Sequence, residues 1–268
     1  MRLFRSIAAA AWIAAAVASP VGVAGAQAQG RDRPGDFDFY LMAFSLAPSF
    51  CTLDRDARRK RQCQSPSDAD YRATPLTVHG LWPNRRGVSV NRQPSSCSAE
   101  RLALSPELRR RLALYMPAIA DGLHEHEWAR HGVCSGLSPE EYFSKVAAIA
   151  ERANATIGAV LREKGLFGRE VPIRTLLEGV AEKNRALASA IVVDCRFAPR
   201  RPGGRGDDPN GEPRAYVAEI RVLIGKDIGS DPDGDGWPGT FVPVEAVGYR
   251  ANSGCPGGAG FVPGGFGS

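Results

Sequence analysis

The sequence predicts an α+β fold. It describes a single domain whose central, largely antiparallel sheet packs against several helices and is stabilised by disulfides. Three observations carry this. Helical patterns crowd the middle of the chain, and β-prone runs lie on either side of them. No internal repeat divides the 268 residues, and about 240 of them follow the leader, enough for one sizeable core. The six cysteines are an even number in a chain that opens with an export signal, which argues for three disulfides.

The elements follow in order. Arg2 and Arg5 precede an apolar run, Ile7 to Val23, that Ser19, Pro20 and Gly22 interrupt. Ala24-Gly25-Ala26 or Ala26-Gln27-Ala28 then supplies a small-residue cleavage site, so residues 1–28 are expected to be a signal peptide. The uninterrupted apolar stretch is short of the ~20 residues that a membrane span needs. No other stretch is long and apolar enough, so the mature protein is expected to be soluble, in the periplasm or secreted. Losing Arg2 and Arg5 lowers the formal charge from +5 to +3, because residues 1–28 hold no acid. Basic clusters at Arg55 to Arg61, Arg85-Arg86 and Arg109-Arg110-Arg111 are solvated surface or a polyanion-binding face.

Phe37 to Leu46 reads as a strand, ended by Pro48. Leu76 to Val78 is a short strand that leads into His79 and Gly80. Pro83 cannot donate to a central ladder, so Trp82-Pro83-Asn84 is expected to leave the sheet. Ser105-Pro106-Glu107 opens a helix with proline at its first position. A second helix carries Leu123 to His131 and ends near Gly132. Ser138-Pro139-Glu140-Glu141 is a capping box, starting the longest helical pattern, which reaches Gly165. Thr175 to Ala188 is helical again. Two strands follow, Ala190 to Cys195 and Tyr216 to Leu223, the second with Glu219 and Arg221 on one face and Ile220 and Val222 on the other. Pro202 to Pro213 between them is a Gly- and Asp-rich loop, and the Gly/Pro-rich tail from Gly254 is expected to be irregular.

The chemistry concentrates in four histidines. His124, His126 and His131 lie within Leu123 to Cys134, while His79 stands far upstream. On a helix, Glu127 and His131 share a face, as do His126 and Arg130. The zinc pattern H-E-x-x-H fails, because the position four after His126 is Arg130 and four after His124 is Trp128. No C-x-x-C pair exists either, so neither a metal nor a cofactor is expected. Asp231, Asp233 and Asp235 match the opening of a calcium loop, but its twelfth position is Val242 and no helices flank it, so a turn is the simpler reading. Asn154-Ala155-Thr156 matches a glycosylation sequon inside a predicted helix and is read as chance. What remains suits metal-free phosphoryl transfer on RNA. One imidazole takes the 2′-hydroxyl proton, another protonates the leaving oxygen, and a guanidinium meets the phosphate. Trp82 offers a flat face to a base.

His79-Gly80-Leu81-Trp82-Pro83 and His126-Glu127-Trp128-x-Arg130-His131-Gly132-x-Cys134 resemble the two active-site segments of the ribonuclease T2 family of acid endoribonucleases. The similarity runs from about Asp36 to Cys255, weaker toward the C-terminus. It implies an α+β catalytic domain over residues 29–260, with 261–268 as tail, and two-step cleavage through a 2′,3′-cyclic phosphate. It implies His131 as general base, His79 as general acid, Glu127 and Arg130 as stabilisers of the phosphorane, and His126 as a phosphate contact. Trp82 and Asn84 resemble base-pocket positions. Sequence alone leaves fifteen disulfide connectivities open; the resemblance implies Cys51–Cys63, Cys97–Cys134 and Cys195–Cys255. The chain departs from the family at Arg130, usually lysine, at Val133, usually threonine, at Asn84, often aspartate, and at Leu46, often tryptophan. The expected substrate is single-stranded RNA, with no membrane, no obligate protein partner and a monomeric state. The rival readings are a catalytically weak RNA-binding or scavenging protein on the same fold, and a zinc hydrolase.

Overall fold

Strand β1 (Phe39–Leu46) is apolar at nearly every position, and the sheet buries both of its faces. The computed structural model describes residues 32–64, 66–198, 213–232 and 234–267, so the leader, most of the Pro202 to Pro213 loop and Asp233 lie outside the described residues. The other strands are β2 (Leu76–Asn84), β3 (Arg169–Pro172), β4 (Ile191–Phe197), β5 (Ala215–Gly225), β6 (Asn252–Ser253) and β7 (Ala259–Val262). Their order is β2-β1-β5-β4-β6, with β7 pairing both β3 and β5. All pairings are antiparallel except β4–β6 and β5–β7, as the sequence predicts.

The helices are α1 (Ala47–Leu53), α2 (Arg61–Gln64), α3 (Asp68–Ala73), α4 (Pro106–Ala113), α5 (Leu123–Arg130), α6 (Pro139–Ala153), α7 (Ala159–Glu163), α8 (Ile173–Lys183) and α9 (Arg185–Ser189). The predicted starts are in place: Ser105 Oγ accepts from Leu108 N at 3.1 Å, and Ser138 and Glu141 complete their capping box. The helical stretch expected to run to Gly165 is interrupted by a wider turn at Asn154–Gly158. There the buried Asn154 accepts from Leu76 N at 3.0 Å and donates to Leu76 O at 2.9 Å, tying the start of β2 to the end of α6. Such burial leaves the sequon no room for a glycan. The helix expected over Thr175 to Ala188 is two, divided at Asn184, whose side chain caps α9.

Alternation along β1 sorts two cores. Tyr40, Met42, Phe44 and Leu46 join the main core with Trp128, Tyr142, Phe143 and Ile149 from the helices. Phe39, Leu41 and Ala43 face the other way, against Val192, Leu223, Val242 and Val244. That second cover stops at Ala43. The next position on the same face is Ser45, which pairs with Thr77 on one side and Glu219 on the other, and Glu219 in turn pairs with Asp194. A polar row therefore crosses four strands at the uncovered end of this face, next to Arg221, which stands opposite Ala43.

Two expectations are corrected. Trp82-Pro83-Asn84 stays in the sheet, with Pro83 opposite Tyr40. Strand β2 is at the sheet edge, where the missing N–H of a proline leaves no ladder bond broken. The tail is not irregular either, since β7 pairs with β3 from Ala259 to Val262. Its glycines serve a close approach: a Cβ on Gly260 would run into Cys195 Sγ and Val217. The three disulfides connect as the resemblance implies. No described helix is long and apolar enough to cross a membrane.

Candidate active site

His79 owes its direction to a β-bulge. The β1–β2 register passes from Ala43 opposite Gly80 to Phe44 opposite Val78, so His79 is the extra residue. Bulges re-aim side chains in this way. The His79 Nδ1 lies 2.7 Å from Glu219 Oε1 on β5. With Glu219 ionised, Nδ1–H donates, and Nε2 is left for chemistry, 3.9 Å from Glu127 Oε1. The imidazole is 38% exposed, enough for a substrate to reach it.

Helix α5 supplies the opposing groups. It begins at Gly122, whose φ of 79° a glycine adopts without strain, and it turns Glu127 and Trp128 inward and His126 and Arg130 outward to solvent. Trp128 fixes the helix by donating from Nε1 to Glu100 O at 2.8 Å. His131 closes the helix, its backbone N–H bonded to Glu127 O at 2.9 Å, and the Cys97–Cys134 disulfide holds the following turn. Trp82 joins the two halves. Its Nε1 donates to Glu127 Oε2 at 2.7 Å, and its ring lies 5.1 Å from that of His79 and 5.5 Å from that of His131. The two distant histidines thus flank a single indole. Gly80 permits this, because a Cβ there would overlap the Glu127 carboxylate and the Trp82 indole.

Beside His79 lies a cleft of about 480 Å³. The polar row forms its floor with Ser45, Thr77 and Glu219, while His126 and Leu123 form one wall. The loop closed by Cys51–Cys63 contributes Asp54, Lys60 and Gln62 to it. Arg59, by contrast, points to solvent, 84% exposed. Trp82 borders the imidazoles and does not line this cleft, and Asn84 is buried, its amide donating to Trp82 O at 2.9 Å. Val133 and Leu46 are both buried in the core, so these two departures from the family pattern fall outside the cleft. Asp231 and Asp235 make turn contacts, accepting from Gly236 N and Trp237 N at 2.9 Å each.

The electrostatics separate the two imidazoles. Burial, with the nearby charges of Arg130, His126 and His79 acting in the same sense, pushes His131 down to about 4. Burial also pulls on His79, but the Glu219 hydrogen bond and the charges of Glu219 and Glu127 outweigh it and carry His79 above its ordinary 6.5. Burial raises the Glu127 carboxyl, against the opposing pull of Trp82, His79 and His126. Glu219 goes the other way, to about 2: burial opposes ionisation, but His79 and Arg221 prevail. Between about pH 4 and the raised value of His79, one imidazole is neutral while the other is charged, which is what paired proton transfer requires.

Sequence reasoning missed Glu219. Its signal was present, as two charged residues, Glu219 and Arg221, on one face of a strand otherwise made of apolar residues.

The Ribonuclease T2 family model matches residues 37–189. Ribonuclease I of Escherichia coli is 27% identical over 243 residues, spanning 80% of this chain and 84% of that protein. A ribonuclease of Aeromonas hydrophila is 33% identical over 127 residues, 46% of this chain and 50% of its own length. Among solved structures, a variant of RNase MC1 in complex with 5′-UMP superposes with a TM-score of 0.56 at 18% identity, covering 84% of this chain and 98% of that one. RNase NT in complex with 5′-AMP gives 0.51 at 19% identity, over 77% and 97%. The structural likenesses establish a shared fold.

Proposed function

The chain belongs to the ribonuclease T2 family, and from that premise we propose that this endoribonuclease cleaves single-stranded RNA by acid–base transphosphorylation without a metal ion. The observation that carries the mechanism is the pair of imidazoles on one indole, with His131 shifted down and His79 shifted up from the ordinary histidine value. Neutral His131 takes the proton of the 2′-hydroxyl as O2′ attacks phosphorus. The P–O5′ bond breaks, and His79 delivers its Nε2 proton to the departing O5′, leaving a 2′,3′-cyclic phosphate. In the second step water replaces the alcohol, the roles reverse, and a 3′-phosphate results. Each positioned proton transfer contributes on the order of 10²–10⁴-fold.

Charge that builds on the phosphoryl oxygens meets Arg130 and His126, both exposed along α5. A guanidinium presents paired donors to phosphate, so arginine in place of the family's usual lysine keeps the charge and changes the contact from a point to a fork. Burial favours the neutral form of Glu127, and in that form the carboxyl can donate a hydrogen bond to a phosphoryl oxygen. The cleft beside His79 accepts a nucleobase. Trp82 flanks the reacting phosphate, and Asn84 acts on the site through the Trp82 carbonyl. Export by residues 1–28, a catalytic domain over 29–260 and a monomeric state belong to the same reading. Three paired disulfides suit an oxidising compartment.

The test is incubation of the mature protein with single-stranded RNA in excess EDTA, with analysis of the product ends. Cleavage that survives the chelator and leaves cyclic phosphate termini is expected. Loss of cleavage in chelator would point to a zinc hydrolase, and binding without turnover to an RNA-scavenging protein.

A pH dependence follows from the separated imidazoles. Below about pH 4 His131 is protonated and cannot act as base, so kcat/KM rises with pH through that value. It holds while His79 keeps its proton and falls as pH passes the raised value of His79, above 6.5. A bell-shaped kcat/KM profile with its plateau on the acid side of neutrality is expected. A profile still rising at pH 8 would contradict the assignment.

A further inference from the structure

The proton donor of this site has a partner that none of the sequence motifs contains. We propose that Glu219 is a positioning residue for His79: it holds the imidazole by Nδ1–H and turns Nε2 toward the leaving oxygen. The proposal rests on the acid–base reading above and adds to it.

Geometry carries the argument. The Nδ1–Oε1 distance is 2.7 Å, within the range for a charge-assisted hydrogen bond. Glu219 itself is buried, so little of the carboxylate is left to water. Its second oxygen is occupied, since Arg221 Nε donates to Oε2 at 2.8 Å. Arg221 in turn reaches Asp194 Oδ2 at 3.5 Å, and Asp194 also takes Arg196 Nε at 3.0 Å. A carboxylate anchored on both sides has one orientation to offer, and His79 receives it. The strand register repeats the design. Glu219 stands opposite Asp194 at a bulge in β5, and His79 is itself the bulged residue of β2, so two irregularities aim the pair across β1.

Other charged groups face His79 as well. Glu127 of α5 is 3.9 Å from Nε2, on the working side of the ring, where substrate must enter. Arg221 opposes protonation of His79 through space, and His131 lies beyond Trp82. Among the described residues, Glu219 alone meets the ring at the nitrogen that chemistry does not use. A second group that sets the tautomer and charge of a working histidine is a recurrent arrangement in hydrolytic sites.

The experiment uses the mature protein and two readouts. In Glu219→Gln, the His79 Cε1–H titration followed by NMR is expected to move to lower pH by about one unit or more. Turnover of RNA near neutral pH is expected to fall roughly 10–100-fold, with KM within about twofold of the parent. In a His79→Ala background the same change is expected to cost less than about twofold, because a residue acting through His79 has nothing left to act on. Glu219→Asp, which keeps the charge and withdraws it by one methylene, is expected to give an intermediate titration, and it serves if the glutamine variant does not fold. An unshifted His79 titration would overturn the proposal, as would an undiminished loss in the His79→Ala background. The titration needs no substrate. If the parent protein failed to cleave RNA, the acid–base reading would fall while the coupling of Glu219 to His79 was still being decided.

Discussion

His131→Ala is expected to lose about 10²–10⁴-fold in turnover of any substrate that must first lose its 2′-hydroxyl proton. His79→Ala is expected to lose as much on RNA, but little on a nucleoside 3′-phosphodiester whose leaving group is 4-nitrophenolate. The reason is the proton balance. An alkoxide leaving from RNA needs a proton as its bond breaks, which the proposed mechanism assigns to His79. A nitrophenolate is stable as the anion and departs without one. Attack by O2′ needs a base in both cases, so the His131 variant fails on both substrates. The proposed direction of the pairing rests on His131 being pushed down to about 4 and His79 being raised above 6.5. Steady-state kinetics on the two substrates decide the roles. Retention of ester cleavage by the His131 variant, with loss by the His79 variant, would exchange them. The double variant is expected to be little worse on RNA than either single one, because both protons move in one reaction step.

The parts of this site that were legible in the sequence are those set by local geometry. His126, Glu127, Arg130 and His131 fall within a single helix and its cap, so their spacing already fixed which of them share a face. Ser105 and Ser138 announce α4 and α6 through short-range hydrogen bonds, and both helices start where those residues stand. The approach of His79 to His131 was legible only through resemblance, since nothing local to either histidine encodes it. Register was the hidden variable. Glu219 meets His79 across the intervening β1, two bulges from an ideal ladder, and alternation along β5 gives a face without saying which strand lies beyond the next. Pro83 was misplaced for a related reason. Its rule depends on whether a strand is central or at the edge, which is a property of the assembled sheet. The Gly-rich tail concealed β7, because the same residue type that marks a loose turn also allows tight packing, as Gly260 does against Cys195 and Val217.

Gly80 shows the same tension between small size and function at the centre of the site, and Gly80→Ala is expected to have the second-largest effect. The added methyl would overlap the Glu127 carboxylate and the Trp82 indole, which are bonded to each other at 2.7 Å. Neither can yield easily. Glu127 is buried on a helix that Trp128 anchors, and Trp82 is wedged between two imidazoles. Displacing either one separates the indole from the carboxylate and leaves a buried acceptor short of its donor, which typically costs about 1–3 kcal/mol. The imidazoles that rest on the indole then lose their spacing. Misplacing a catalytic group by about 1 Å can cost on the order of 10²-fold in rate. Gly80→Ala is therefore expected to reduce kcat by about that factor or more, with a lower urea midpoint. The backbone at Gly80 does not require the left-handed region, so strain in the main chain does not contribute. Normal turnover in a folded Gly80→Ala protein would mean that the Glu127–Trp82 contact is dispensable, and with it the claim that one indole sets the distance between the proton acceptor and the proton donor.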